Sequence, residues 1–436
     1  MLFNLIKLIQ LVLVINYSQC INIEEFGAKP FDSSYDTSIL NGKALNAALY
    51  AANKSKDDRT VLVESQKTYT LLPAGLVTNL VNVTILLEGR LNAWDGEYEK
   101  WPKDESGHAY SFILIRYTEN LTIKGNGIVD GFGFAWWLNV ILTGNDNRPN
   151  LIDLSVGKNT LIDGITVFNS PQYHLFLMDQ LDLIVRNVIV HVDITPEDSF
   201  KFPIFPLNTD GIDVSGKNIH LNNVSIVNFD DAVAIKPLKL FESNFTNCTQ
   251  DILVENSYVK LGVGMSIGSI TPNQNNECIK NVTFRNITFQ DPLKAIYIKA
   301  NPGDEGTAII SNILYENLEI HNALWWAIFI GPQQQQQPHK QGKSCSFFFP
   351  LNGTECIANP RVTIQDITLR NINIYNGILS PGILICNQTN PCTNFLFDNV
   401  NAYKQSAYPV SDGYICENVS GFAKNSNVYP KCLTNI

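Results

Sequence analysis

Asn281-Val-Thr-Phe-Arg-Asn-Ile-Thr-Phe289 decides the fold: two short alternating stretches meet at a central Asn286. A period of two is that of a strand with one face buried. Asn281 and Asn286 stand where the chain must bend, and asparagine tolerates left-handed backbone better than most residues. The same unit occurs at Asn159–Val167, Asp182–Val190, Asn218–Ile226, Asp251–Val259 and Asn312–Ile320, with looser copies from Asn120 and Arg361.

The shortest interval between units is 23 residues and most others are about 30 to 40, as if loops were inserted into a common coil. Units of two or three short strands at such a period stack as a solenoid. A propeller blade needs four strands in its repeat, and no long helical pattern separates the strands as a βαβ sheet requires. The expected fold is therefore all-β, a single-domain right-handed parallel β-helix over residues 21–436. Stacked coils lie about 4.8 Å apart, so residues one coil apart in sequence become surface neighbours.

Residues 1–20 read as a secretory signal peptide, apolar from Leu2 to Val14 but for Asn4, Lys7 and Gln10, with cleavage after Ser18-Gln19-Cys20. The run is too short for a bilayer span, so the expected location is extracellular, with no membrane partner. Removing Cys20 leaves eight cysteines, an even number suited to an oxidising compartment. Pairing of nearest neighbours, from Cys248 with Cys278 to Cys416 with Cys432, is the simplest arrangement, though spacing leaves the other connectivities open. About eleven Asn-x-Ser/Thr sequons, Asn53, Asn120 and Asn281 among them, point the same way.

The formal net charge of −10 provides no basic stripe for nucleic acid. An acidic substrate would have to be met by a few local cations. Nothing in the sequence asks for association, so a monomer is expected, and no cysteine spacing suggests a metal or cofactor site.

Asp210, in Asn208-Thr-Asp-Gly-Ile-Asp213, precedes one repeat unit, and Asp230-Asp231 follows it about one coil later. Stacking can place Asp210 beside the pair. Crowded carboxylates repel, so one retains its proton near neutral pH. A protonated acid beside ionised ones is what glycoside hydrolysis uses. Spacing alone also admits a calcium site, or turn aspartates that only cap loops.

These residues resemble glycoside hydrolase family 28, the polygalacturonases and rhamnogalacturonases. The resemblance runs from Ile23 to the late repeats. It is carried by Asn169-Ser-Pro171 with His174, the Asn-Thr-Asp-Gly motif, the paired aspartates and Ser266-Ile-Gly-Ser269. It implies inverting hydrolysis of a pectic polysaccharide, with Asp230 as general acid and Asp210 and Asp231 holding the water. Asn208, His174 and Lys299 would lie along the substrate.

Two positions depart from the family pattern. Where polygalacturonases carry Gly-His-Gly, this chain has Gly262-Val-Gly264, and where they carry Arg-Ile-Lys it has Tyr297-Ile-Lys299. Valine offers no side-chain hydrogen bond, and the bidentate grip of an arginine on a carboxylate is gone. Tyr297 is retained as a substrate-contact candidate, and Lys236 is either a second cation or a solvated lysine. Trp325 and Trp326 are placed on a strand, where one of them, Trp326 in the first instance, would stack on a sugar. The competing readings are a pectate-lyase-type eliminase and a glycan-binding protein that has lost catalysis.

Overall fold

The structure, a computed structural model, describes residues 20–194, 205–239, 247–271, 277–334, 343–351, 354–406, 408–409 and 413–436. Residues 1–19 of the expected signal segment lie outside them. Every named strand pairs parallel with a strand of a neighbouring coil, giving a right-handed parallel β-helix. Long strands such as Glu277–Gln290 and Ala308–His321 bend twice, at Asn281 and Asn286 and at Asn312 and Asn317, and so contribute a segment to three stacks. The 23-residue interval is a bare coil: Leu161 pairs with Ile184 and Ile162 with Val185.

The bends are where the repeat places them. Asn281, Asn286, Asn312 and Asn317 all have φ between 55° and 56°. Each bend residue also bonds to its counterpart one coil away. Asn312 donates to Asn281 at 2.8 Å, and Asn317 to Asn286 at 3.0 Å. Asparagine does both jobs because it accepts left-handed φ and carries a donor and an acceptor on one planar amide.

Between bends, alternate residues point inward. Val185, Leu221, Val254, Phe284 and Tyr315 form one interior column and are fully buried. Phe284 and Tyr315 stack at 4.7 Å, the spacing of the coils themselves. The four disulfides join Cys248–Cys278, Cys345–Cys356, Cys386–Cys392 and Cys416–Cys432, the nearest-neighbour set.

The repeat did not announce two helices. The first, Tyr35–Lys54, is capped by the Ser34 hydroxyl and packs Ala44, Leu45, Ala48 and Leu49 against the first coils. It covers sheet edge and core that stacking would leave exposed. The second, Phe134–Thr143, is an insertion between the strands Ile128–Asp130 and Ile152–Asp163. No helix of the described residues is long and apolar enough to cross a membrane.

Candidate active site

Three consecutive strands of one stack, Ile212–Asn222, Val233–Ile235 and Met265–Ile270, present the site. Ile212 pairs with Val233 and Val233 with Met265. The residues two places before each, Asp210, Asp231 and Val263, therefore form a column across the coils. Gly211 lets the first two coils approach, because a Cβ there would lie 2.4 Å from the Ala232 carbonyl oxygen. The buried Asn228 amide ties the turns together, donating to the Thr209, Asp230 and Asp231 carbonyls at 3.1, 3.0 and 2.7 Å.

Carboxylate oxygens of Asp210, Asp230 and Asp231 lie within 4.8 Å of one another, and all three side chains are buried. Their surroundings differ. Asp231 accepts from the Ser266 hydroxyl at 2.5 Å and from Lys299 Nζ at 2.6 Å, with Lys236 Nζ 3.8 Å away. Burial pushes its pKa up, but the two ammonium groups outweigh this and hold it below the usual carboxylate range. Asp230 accepts backbone N–H bonds from Asn208 at 2.7 Å and Asp231 at 2.8 Å. Burial and the Asp231 charge still raise it. Asp210 is raised too, by burial and by repulsion from Asp230, Asp213 and Asp231, and its Oδ1 has no hydrogen-bond partner among the described residues. One cluster thus holds a firmly ionised carboxylate beside two that favour protonation. The three oxygens could also gather a divalent cation, which would have to compete with Lys299 for Asp231.

The structure reassigns several candidates. Lys236 is no solvated lysine: its side chain is only 12% exposed, it lies 3.4 Å from Asp213, and it belongs to the cluster. Asn208 lies at the edge of the cluster and acts on Asp230 through its backbone, while its side-chain oxygen accepts from Arg148 at 3.2 Å. His174 spends both ring nitrogens inside the protein. It is fully buried, Ser170 N–H donates to Nε2 at 3.2 Å, and Nδ1 lies 2.9 Å from the Asp210 carbonyl. It braces the backbone that carries Asp210.

Tyr297 is likewise buried behind the site, its hydroxyl accepting from Gln334 N–H at 3.0 Å and its ring packed against Phe329. Trp326 presents no face to a sugar, since it is fully buried among Val263, Tyr297 and Phe329. Both tryptophans precede the strand Ile328–Pro332 rather than lying on it, so strand alternation does not govern them. The half-buried one is Trp325, stacked on Phe347 at 4.6 Å.

Sequence reasoning passed over two residues that build the site. Asp213, raised to about 6 by burial against the pull of Lys236, was visible in the quoted motif. Arg148 holds the Leu207 carbonyl at 2.6 Å and so fixes the approach to Asn208. It lies in a loop outside any repeat, and no pattern points to it.

Fold and site together define a glycosidase built on a parallel β-helix. The chain belongs to the glycosyl hydrolases family 28, which it matches over residues 55–427. A polygalacturonase of Chamaecyparis obtusa is 25% identical over 430 residues, covering 94% of this chain and 72% of its own. A probable exopolygalacturonase X of Aspergillus terreus is 25% identical over 392 residues, 85% of this chain and 82% of its own. Among solved structures, a family 28 exopolygalacturonase of Yersinia enterocolitica superposes with a TM-score of 0.68 at 14% identity, over 96% of this chain and 75% of that one. The polygalacturonase of Erwinia carotovora ssp. carotovora gives 0.61 at 20%, over 92% and 96%. These two structures share the fold.

Proposed function

We propose that the protein is a secreted hydrolase of pectic polysaccharide, of galacturonan or rhamnogalacturonan type, working by aspartate acid and base catalysis with inversion. The observation that carries this is the division of charge inside one cluster, with Asp231 held ionised by Lys299 and Lys236 while Asp210 and Asp230 are pushed towards the neutral form.

In this reading Asp231 and Asp210 hold a water between them. Hydrogen bonds between oxygens of about 2.8 Å allow one water to bridge two carboxylates at this separation. As the water attacks the anomeric carbon, its proton passes to a carboxylate. The proton of the neutral carboxyl goes to the glycosidic oxygen, and the carbon–oxygen bond to the leaving sugar breaks. The family resemblance gives the acid role to Asp230, although burial and repulsion push Asp210 up as well. Because the two interact strongly, we treat the proton as belonging to the pair. The closest oxygens are nearer than the roughly 6.5–9.5 Å usual for an inverting pair, which makes product stereochemistry a sharp test. Paired cysteines among the described residues suit an oxidising, extracellular setting.

The test is to incubate the protein with polygalacturonate and with rhamnogalacturonan, following new reducing ends, near-ultraviolet absorbance and the anomer first released. Reducing ends without absorbance, with the inverted anomer first, are expected, and absorbance would indicate elimination. A substrate with an activated leaving group should restore turnover to Asp230→Asn but not to Asp231→Asn if Asp230 delivers the proton.

A further inference from the structure

Lys294 is a lysine at the depth of the catalytic carboxylates: it is 1% exposed, as are Asp231 and Lys299. Met265 pairs with Ile296, so Lys294 continues the column that runs from Asp210 through Asp231 and Val263. It lies two coils beyond Asp231, about 10 Å along the sheet. Among the described residues no carboxylate forms an ion pair with it. Its ammonium is surrounded by rings instead, 4.6 Å from the centroid of Tyr297, 5.4 Å from Phe329 and 5.9 Å from Phe347.

The Tyr297 ring is shared. Lys299 Nζ also lies 4.6 Å from its centroid, so one aromatic ring holds two ammonium groups. Lys299 is spoken for by Asp231. A buried ammonium with only aromatic faces for company is incompletely compensated, because ring quadrupoles replace part of its hydration and no counter-ion replaces the rest. Burial, then the Lys299 charge, push it down to about 7, with Asp230 and Asp231 pulling weakly the other way.

A uronate polymer carries the missing anion on every sugar. Resting on the reading of the site as a pectic hydrolase, we propose that Lys294 is a specificity-determining residue that binds a substrate carboxylate beyond the cleavage point. Tyr297, at the position where the family resemblance would put an arginine, carries no cation of its own and seats Lys294 by its ring. The carboxylate grip has thus moved three residues along the chain.

The test measures binding of trigalacturonate and of its fully methyl-esterified form to the Asp230→Asn enzyme, with and without Lys294→Met, by titration calorimetry. Lys294→Met should weaken trigalacturonate about tenfold or more and leave the ester within about twofold, the size expected for losing one charge-assisted hydrogen bond. Lys294→Arg should keep part of the preference for the acid. Equal weakening of both ligands, or no change in either, would overturn the proposal, since a packing role does not distinguish acid from ester. Lys294→Gln gives the same reading should the methionine variant not fold. If neither trisaccharide binds the parent enzyme, the pectic reading itself fails, and this assignment with it.

Discussion

Lys299 Nζ stands 2.6 Å from Asp231 Oδ2, and both side chains are 1% exposed. Because the pair is buried, each partner leaves an uncompensated charge when the other is removed. Lys299→Met should therefore cost about 3 kcal/mol of stability at neutral pH. It should also release Asp231 towards ordinary carboxylate behaviour or above, since burial is the largest opposing influence. If Asp231 must be ionised to work, the acidic limb of the kcat profile moves to higher pH and kcat at its optimum falls about a hundredfold. A pH–rate series on the variant measures both. An unmoved acidic limb would mean that Asp231 is not the group titrating there.

Asp210 makes the opposite trade. Its carboxyl is raised by burial and three neighbouring carboxylates, so the folded protein binds its proton more tightly than the unfolded chain does. The contribution to stability is neutral below the unfolded value near 3.8 and becomes increasingly unfavourable as pH rises towards the folded value. Asp210→Asn removes that charge without changing shape. The variant should melt at a higher temperature than the parent at pH 7 and at an equal one near pH 3. Its kcat should fall about 10²- to 10⁴-fold, the usual weight of one acid or base. A lower melting temperature at pH 7 would show that Asp210 is stabilised as an anion in a way its surroundings do not explain.

What the sequence disclosed follows from what repeats once per coil. Asn281, Asn286, Asn312 and Asn317 were legible because left-handed bends fall at fixed offsets and asparagine satisfies them. Asp210 and Asp231 were legible because an interval of about one coil becomes lateral adjacency. The tryptophans misled because strand alternation was extended to Trp325 and Trp326, which sit in the turn before their strand, where burial follows local packing. His174 and Tyr297 lie beside the cluster in the stack yet spend their polar atoms inside the protein. Arg148 acts across 60 residues on Asn208 from a loop of no periodicity. Lys294 differs from an ordinary lysine only through rings supplied by Tyr297, Phe329 and Phe347, which come from three separate segments of the chain.

The asparagine bends can be tested apart from catalysis. Asn317 has φ 55°, donates to Asn286 at 3.0 Å and accepts from Asn371 at 3.0 Å. Alanine loses both bonds and must still adopt a left-handed backbone, which costs about 1–2 kcal/mol for a residue with a Cβ. Glycine loses the same bonds without that strain. Denaturant titration should place Asn317→Ala about 2–3 kcal/mol below the parent, with Asn317→Gly recovering roughly 1 kcal/mol. Alanine and glycine variants of equal stability would show that the bend relaxes out of the left-handed region.

His174 gives stability a pH dependence of its own. Ser170 N–H points at Nε2, so that nitrogen must accept and Nδ1 must carry the proton donated to the Asp210 carbonyl. A second ring proton would set one donor against another. Burial is the main cause holding the pKa down, to about 4 from 6.5, with the bond to Asp210 working against it and the His191 charge with it. The folded state thus binds fewer protons than the unfolded state between these two values. The contribution is fully present above pH 6.5 and is lost as pH falls through 6.5 towards 4, about 3 kcal/mol over the window. Asp210 runs the other way over part of the same range, so the parent's curve alone mixes the two. His174→Gln, which keeps one acceptor and one donor but does not titrate, separates them. The stability difference between parent and variant should narrow steadily as pH is lowered from 6.5 to 4. A difference that stays constant across that window would mean that the imidazole is protonated in the folded protein, with Ser170 bonded elsewhere.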